Sequence, residues 1–171
     1  LVVTADDGPQ PLRWIGQRQV RGKGKVAPIR FETGTLGNDR PLLVSPQHRM
    51  LVTGAAAQLN FGHSEVFAAA KGLVNGHAVQ KVDVPSVTYV HLLFDRHQVV
   101  YANGAPAETF WPADQAMASL DAEARARLLA ERPDLRSDLA SYGPTARPCI
   151  TLREACVVAP FFAGAPLHRA A

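Results

Sequence analysis

The sequence predicts a mainly β fold, because short apolar segments alternate with turn residues from its beginning to about Trp111. The segment HAVQKVDV, residues 77–84, alternates apolar and polar side chains as a half-buried strand does. Turn signals such as Asp7-Gly8-Pro9 and Asn75-Gly76 separate the segments. Many short strands with turns between them are typical of a sandwich, a barrel or a curled sheet.

The predicted strands follow one another with short connections. Residues 1–20 contain two β-type runs around the turn at Asp7, and a short strand follows at 27–31. The segment LLVSPQHRMLV, residues 42–52, consists of two apolar segments interrupted by the polar stretch Ser45 to Arg49. Further strands are predicted at 65–70 and 77–84, and residues 86–104 supply two strands around a tight connection at Asp95–Arg96.

The composition changes after Trp111, and the segment SLDAEARARLLAERP, residues 119–133, predicts a helix of about three turns. Ser119 is a candidate N-cap, acidic residues come early, arginines come late, and a proline ends the segment. One face of this helix is apolar and is expected to dock on the sheet; it carries Leu120, Ala124 and Leu128.

Two regions are therefore expected. Residues 1–112 form a β-domain, and residues 113–171 form a C-terminal appendage with a helix at about 120–132 and a tail rich in proline and alanine. One further strand is predicted near ACVVAPFF, residues 155–162. The chain opens at LVVTADDG, in mid-strand and without methionine, so we expect further sequence ahead of Leu1.

The composition excludes several classes of protein. With 171 residues, 47% of them hydrophobic and 19% charged, the chain is long and apolar enough to bury a core. The net charge of +3 is mild, and the basic cluster from Arg18 to Lys25 reads as an exposed loop, so no nucleic-acid partner is expected. No apolar run has the length needed to span a bilayer, and no signal peptide is visible. Cys149 and Cys156 are too few for a disulfide framework.

The residues that could carry chemistry are mostly histidines. His91 and His97 could face each other across a hairpin, and His48 would complete a zinc-like set. This signal is weak because the sequence has neither a CxxC nor an HExxH motif, so the prediction is no metal. A serine-hydrolase site with Ser45 and His48 lacks the G-x-S-x-G elbow, and RGKGK lacks the features of a phosphate loop, so no cofactor is expected. The alternative for His48 is a turn residue whose ring caps backbone groups.

Three motifs in order resemble those of Hint (hedgehog/intein) domains. LLVSPQHRMLV, residues 42–52, resembles the Hint motif in which a threonine or serine precedes a histidine by three residues. HQVVYANG, residues 97–104, resembles the later Hint motif, in which a short strand ends in Ala-Asn-Gly. PLRWIGQRQV and YVHLLFDRHQVVYANGAPAETF look closer to a bacterial intein-like subfamily found in large, often exported proteins. The likeness covers roughly residues 1–112.

This resemblance implies a curled, horseshoe-shaped Hint sheet and self-processing. In such domains a cysteine (or serine) at the domain's N-terminus attacks the preceding carbonyl, and another nucleophile or water resolves the resulting thioester (or ester). His48 matches the histidine that delivers a proton to the leaving nitrogen, and Ser45 matches the neighbouring hydroxyl. His91 falls where many members carry an assisting acidic residue. His97 matches the histidine that often opens the last strand, as a helper or as a structural residue.

The implied partner is the domain's own upstream polypeptide in cis, with a small thiol, an amine or a protein nucleophile as acceptor. The resemblance places the parent among exported or cell-surface bacterial proteins.

The departures from the Hint pattern set further expectations. The attacking cysteine is absent, so the chain reads as N-terminally truncated and is expected to be inactive as written. Glu108 and Thr109 stand near the place where splicing inteins end in His-Asn, so cleavage or transfer of an upstream segment is expected instead of full splicing. No sterol-recognition region is evident. The alternative function is a non-catalytic Hint-like scaffold or attachment module.

Overall fold

The computed structural model describes residues 1–162 and is mainly β, with 33% strand and 28% helix. The prediction of a mainly β fold is confirmed. The strands in chain order are β1 Val2–Thr4, β2 Gly8–Gln10, β3 Trp14–Gly22, β4 Ile29–Phe31, β5 Leu42–Val44, β6 Arg49–Thr53, β7 Glu65–Ala69, β8 Val79–Lys81, β9 Val84–Leu93, β10 Val99–Ala102 and β11 Ala105–Glu108. The α-helices are α1 Ala55–Phe61, α2 Asp114–Ala118, α3 Ala122–Glu131 and α4 Leu152–Val158. None of these helices is both long and apolar enough to cross a bilayer.

The strands form three antiparallel sheets. The largest has six strands in the order β2-β1-β10-β11-β6-β7, a second pairs β3 with β9, and a third has the order β5-β4-β8. The β10–β11 hairpin turns through Asn103 and Gly104, whose φ values of 50° and 86° are those of a type I′ turn. The Ala-Asn-Gly motif is therefore a hairpin turn, and the chain continues from it into β11, which pairs with β6.

The two faces of the six-stranded sheet have different surroundings, as the period of two along a strand requires. One face contributes to the main hydrophobic core through Met50, Val52, Val66, Ala68, Ala105 and Ala107. The opposite face carries a smaller apolar cluster of Leu51, Phe67 and Val99, packed against Ala146 from the C-terminal region. The smaller cluster lies beside His97, whose ring contacts that of Phe67.

The C-terminal region packs on the β-domain through shared hydrophobic clusters. Trp14 of β3, Leu93 of β9 and Phe110 pack with Leu128 of α3 and with Tyr142. The Trp14 ring lies over Gly16, where an added Cβ would come within 2.1 Å of the ring, so the helix-facing strand needs glycine at that position. The predicted docking of the helix on the sheet is confirmed for Ala124 and Leu128, which are buried in this cluster.

Several local predictions are wrong. Helix α3 begins after Asp121, whose carboxylate accepts a hydrogen bond from the Ala124 N–H at 2.7 Å, so Ser119 is not the N-cap. The strand predicted near residues 155–162 is helix α4, because Thr151 and Glu154 form a capping box that starts a helix. The rest of the predicted tail, residues 163–171, lies outside the described residues.

The predicted hairpin around Asp95–Arg96 does not form. β9 pairs with β3, whereas β10 pairs with β1 and β11, so the connection passes from one sheet to another. Arg13 and Asp95 form an ion pair of 2.7 Å at this crossing. His91 and His97 consequently approach the site from different sheets and not across one hairpin.

Candidate processing site

The polar interruption between β5 and β6 is a tight turn from Ser45 to His48. The His48 N–H donates to the Ser45 carbonyl at 3.1 Å and closes the turn. The segment after β7 anchors it from one side, since the Ala70 N–H donates to the His48 carbonyl at 2.9 Å and the Lys71 N–H donates to the Pro46 carbonyl at 3.0 Å. The backbone around His48 is thus held by three hydrogen bonds.

The His48 side chain is half-buried, and its ring forms no hydrogen bond with any residue in the range 1–162. Burial lowers the pKa of His48 to about 4, and the positive charges of His91, Arg49 and His97 add to the effect. His48 is therefore neutral at neutral pH, with its ring nitrogens available to a ligand or a substrate. The Ser45 side chain is also half-buried, and its hydroxyl has no hydrogen-bond partner within the described part of the chain.

His97 has both ring nitrogens engaged by the backbone. Its Nδ1 accepts a hydrogen bond from the Ala146 N–H at 2.9 Å, so the proton must reside on Nε2, which donates to the Thr109 carbonyl at 3.1 Å. The ring also meets the Phe67 ring edge-on at a centroid distance of 5.3 Å. These contacts fix one neutral tautomer of a buried side chain and favour a structural role for His97.

Acid is expected to destabilise the fold through His97. Burial lowers the pKa of His97 to about 4 despite the Thr109 carbonyl, which raises it, and the Arg49 charge lowers it further. In the unfolded chain His97 binds a proton near pH 6.5, whereas in the folded chain it does so only near pH 4. The free energy of unfolding should therefore fall as the pH drops from about 6.5 to about 4. The contribution of this one group is about 3 kcal/mol.

Urea unfolding at several pH values measures this slope. His97→Gln should be less stable at pH 7 and should show a shallower dependence on pH. His63→Gln, at an exposed histidine, serves as the matched control and should leave the slope unchanged. Equal slopes for the wild type and His97→Gln would contradict the assignment of a buried neutral imidazole.

His91 reaches the site from the two-stranded sheet, where it lies opposite Gly16. Its ring packs on the Phe110 ring at a centroid distance of 5.3 Å, and it forms no hydrogen bond with a side chain or backbone group in residues 1–162. Burial lowers the pKa of His91, with a further contribution from Arg18. His91 and His97 both lie close enough to His48 to oppose its protonation when they carry a proton themselves.

Arg49 and Glu108 belong to the same site, although no local pattern in the sequence points to their pairing. The Glu108 carboxylate accepts hydrogen bonds from the Arg49 backbone N–H at 2.8 Å and from its Nη1 at 3.0 Å. Only 10% of the Glu108 side chain is exposed, and one of its oxygens lies 3.8 Å from the His97 Nε2. Burial raises the pKa of Glu108, and Arg49 opposes that rise. The sequence drew attention to Glu108 only as a residue near the place where splicing inteins end in His-Asn.

The C-terminal region also returns to the site. The Phe67 N–H donates to the Pro148 carbonyl at 2.8 Å, and the Ile150 N–H donates to the Phe67 carbonyl at 2.9 Å. Cys149 therefore lies beside β7, although the sequence separates it from the motifs. Both Cys149 and Cys156 are free and exposed. Within residues 1–162, the structure contains no group of three or more histidine, cysteine, aspartate or glutamate side chains that could hold a metal ion.

Comparison with known proteins identifies the family to which residues 1–114 belong. The family model described as Hint domain matches residues 1–114, which include β1 to β11 and all four predicted site residues. No curated protein and no solved structure matches the chain. The match covers most of the chain and coincides with the antiparallel sheets that carry the Ser45–His48 turn. The chain belongs to the Hint domain family.

Proposed function

We propose that this Hint domain promotes an acyl shift at a peptide bond ahead of Leu1, with His48 moving the proton. Membership of the Hint family supports an autoprocessing function in general. The observation that carries the specific proposal is the state of His48: its backbone is fixed, its ring is free of partners within residues 1–162, and its low pKa keeps it neutral. A neutral imidazole can accept a proton before it delivers one.

The step balances as a proton relay. An attacking thiol or hydroxyl loses its proton to the neutral His48 ring as its sulfur or oxygen bonds to the carbonyl carbon. The carbon–nitrogen bond of the peptide then breaks, and the imidazolium returns the proton to the leaving nitrogen. Water, a small thiol, an amine or a protein nucleophile then attacks the thioester (or the ester, where a hydroxyl was the nucleophile) and releases the upstream segment. This sequence refines the simple acid role expected for His48, because a pKa of about 4 makes the neutral form the resting state.

The other predicted residues receive distinct roles under this proposal. The Ser45 hydroxyl, three residues before His48 and without a partner in the described residues, would hydrogen-bond the reacting peptide and hold it in a distorted form. His91 would line the site and help to keep His48 neutral. His97 would act through the fold, since both its nitrogens are occupied by backbone groups. The partner is the upstream polypeptide of the same chain.

The test uses the chain together with the polypeptide encoded ahead of Leu1. Intact-mass spectrometry follows this protein with and without hydroxylamine or a thiol. Cleavage at the upstream junction that is accelerated by hydroxylamine, with the upstream segment recovered as its hydroxamate, would establish an ester intermediate. An unchanged mass under every condition, from a protein shown to be folded, would exclude the acyl shift and favour the alternative of a Hint-like scaffold.

A further inference from the structure

Glu108 is the buried charge in the site that the proposed proton relay does not use. Its side chain is 10% exposed, whereas that of its partner Arg49 is 33% exposed. A carboxylate withdrawn from water to this extent needs strong compensating contacts. Glu108 has them in the Arg49 backbone N–H and guanidinium, at 2.8 and 3.0 Å. Both contacts go to the residue that follows His48 directly.

The backbone contact has a specific consequence for the turn. β6 begins at Arg49, and the register of β11 on β6 pairs Ala107 with Met50. At the next position the Glu108 side chain takes the place of a backbone partner and satisfies the Arg49 N–H. Because the other side of the turn is bound by Ala70 and Lys71, the His48 segment is fastened on two sides by different parts of the chain.

The charge of Glu108 also has a consequence. The groups whose positive charge opposes protonation of His48 are Arg49, which follows it in sequence, and, when they are themselves protonated, His91 from β9 and His97 from the segment before β10. Arg18 of β3 acts on His91. Glu108 is bonded to Arg49 and lies 3.8 Å from the His97 Nε2, so its carboxylate offsets positive charge on the His48 side of the sheet.

We propose that Glu108 is a positioning residue for His48, which it holds in place through Arg49 while offsetting the positive charge around it. This inference rests on the proposed function for its role in processing. The coupling between Glu108 and His48 is independent of the proposed function and can be measured in the 171-residue chain alone. Its hydrogen bonds go to Arg49, so its hold on the His48 turn runs through that residue, while its charge also lies 3.8 Å from the His97 Nε2.

The decisive variant is Glu108→Gln. Its amide oxygen can still accept the hydrogen bond from the Arg49 N–H, but the side chain no longer presents a negative charge to the guanidinium. We expect the processing rate to fall at least tenfold, on the order of the loss of a buried charge-assisted hydrogen bond. We also expect the acid limb of the pH–rate profile to move to lower pH, because the Arg49 charge is no longer offset. The double variant Glu108→Gln/Arg49→Met should return that limb towards its wild-type position, since the unbalanced charge is gone.

Glu32→Gln is the matched control, because Glu32 and Arg30 form a similar ion pair of 3.1 Å in the three-stranded sheet. It should leave the rate and the profile unchanged. Titration of the His48 ring by NMR in the 171-residue chain provides a readout independent of processing. A His48 pKa lower in Glu108→Gln than in the wild type and in Glu32→Gln supports the coupling even if the wild type fails to process. An unchanged His48 pKa in a folded Glu108→Gln protein overturns it.

Discussion

Replacing His48 with alanine is expected to lower the rate of upstream cleavage by about 10²–10⁴-fold, the range typical of a positioned acid–base group. The loss should appear wherever the wild-type imidazole is neutral, that is above about pH 4, because neither the removal of the nucleophile's proton nor the protonation of the leaving nitrogen can then use it. The wild-type rate should hold steady from neutral pH downwards and fall as the pH approaches about 4, where His48 becomes protonated before it can act as a base. Intact-mass time courses between pH 4 and pH 8 measure both effects.

A matched control separates chemistry from folding. His63→Ala removes an exposed histidine in the connection between α1 and β7 and should process at the wild-type rate. The His48→Ala protein should retain a cooperative urea transition, because the ring of His48 bonds to no residue in the range 1–162. Wild-type cleavage by a folded His48→Ala protein would return His48 to the role of a turn residue and remove the proposed relay.

Replacing Phe67 with alanine is expected to produce the largest loss of stability, about 3–5 kcal/mol, as for other fully buried aromatic side chains. Phe67 is completely buried in the cluster with Leu51 and Val99, and its ring supports His97 at a centroid distance of 5.3 Å. Its removal would open a cavity between β7 and the C-terminal segment. Urea unfolding followed by tryptophan fluorescence and circular dichroism measures the change.

Phe161→Ala provides the comparison for this loss, because 64% of Phe161 is exposed and the same number of atoms is removed. We expect its free energy of unfolding to change by less than about 1 kcal/mol. Similar losses in the two variants would mean that Phe67 does not carry the packing between the sheet and the C-terminal segment.

The strands and the His48 turn could be predicted because their signals are local. The continuous apolar runs at the centres of β6 and β7 reflect a sheet that is buried on both faces, and the polar residues between β5 and β6 mark the turn that connects them. Helix α4 was predictable on the same grounds, since the TLRE sequence at Thr151 is a capping-box pattern. The apolar run ACVV by itself favours a strand, and the capping box ahead of it decides for a helix.

The contacts that complete the site could not be predicted, because they depend on how distant strands meet. Arg49 and Glu108 are 59 residues apart, and their pairing follows from the antiparallel register of β11 on β6. The tautomer of His97 depends on the Ala146 N–H, 49 residues further along the chain. No local pattern in the sequence indicates that Glu108 meets Arg49 or that the Ala146 N–H meets His97, although each of these residues can be read from the sequence.

The hydrogen bonds between Phe67 and residues 148 and 150 bear on how this domain could be transferred between proteins. The family match ends at residue 114, yet the backbone groups that cover Phe67 and the N–H that fixes His97 come from beyond it. A grafted unit cut at residue 114 would leave an apolar face open to aggregation and a buried imidazole without its donor. The smallest portable unit with an intact site should therefore extend at least to Ile150, and gene fusions that carry this domain to a new cargo should keep the chain through that residue.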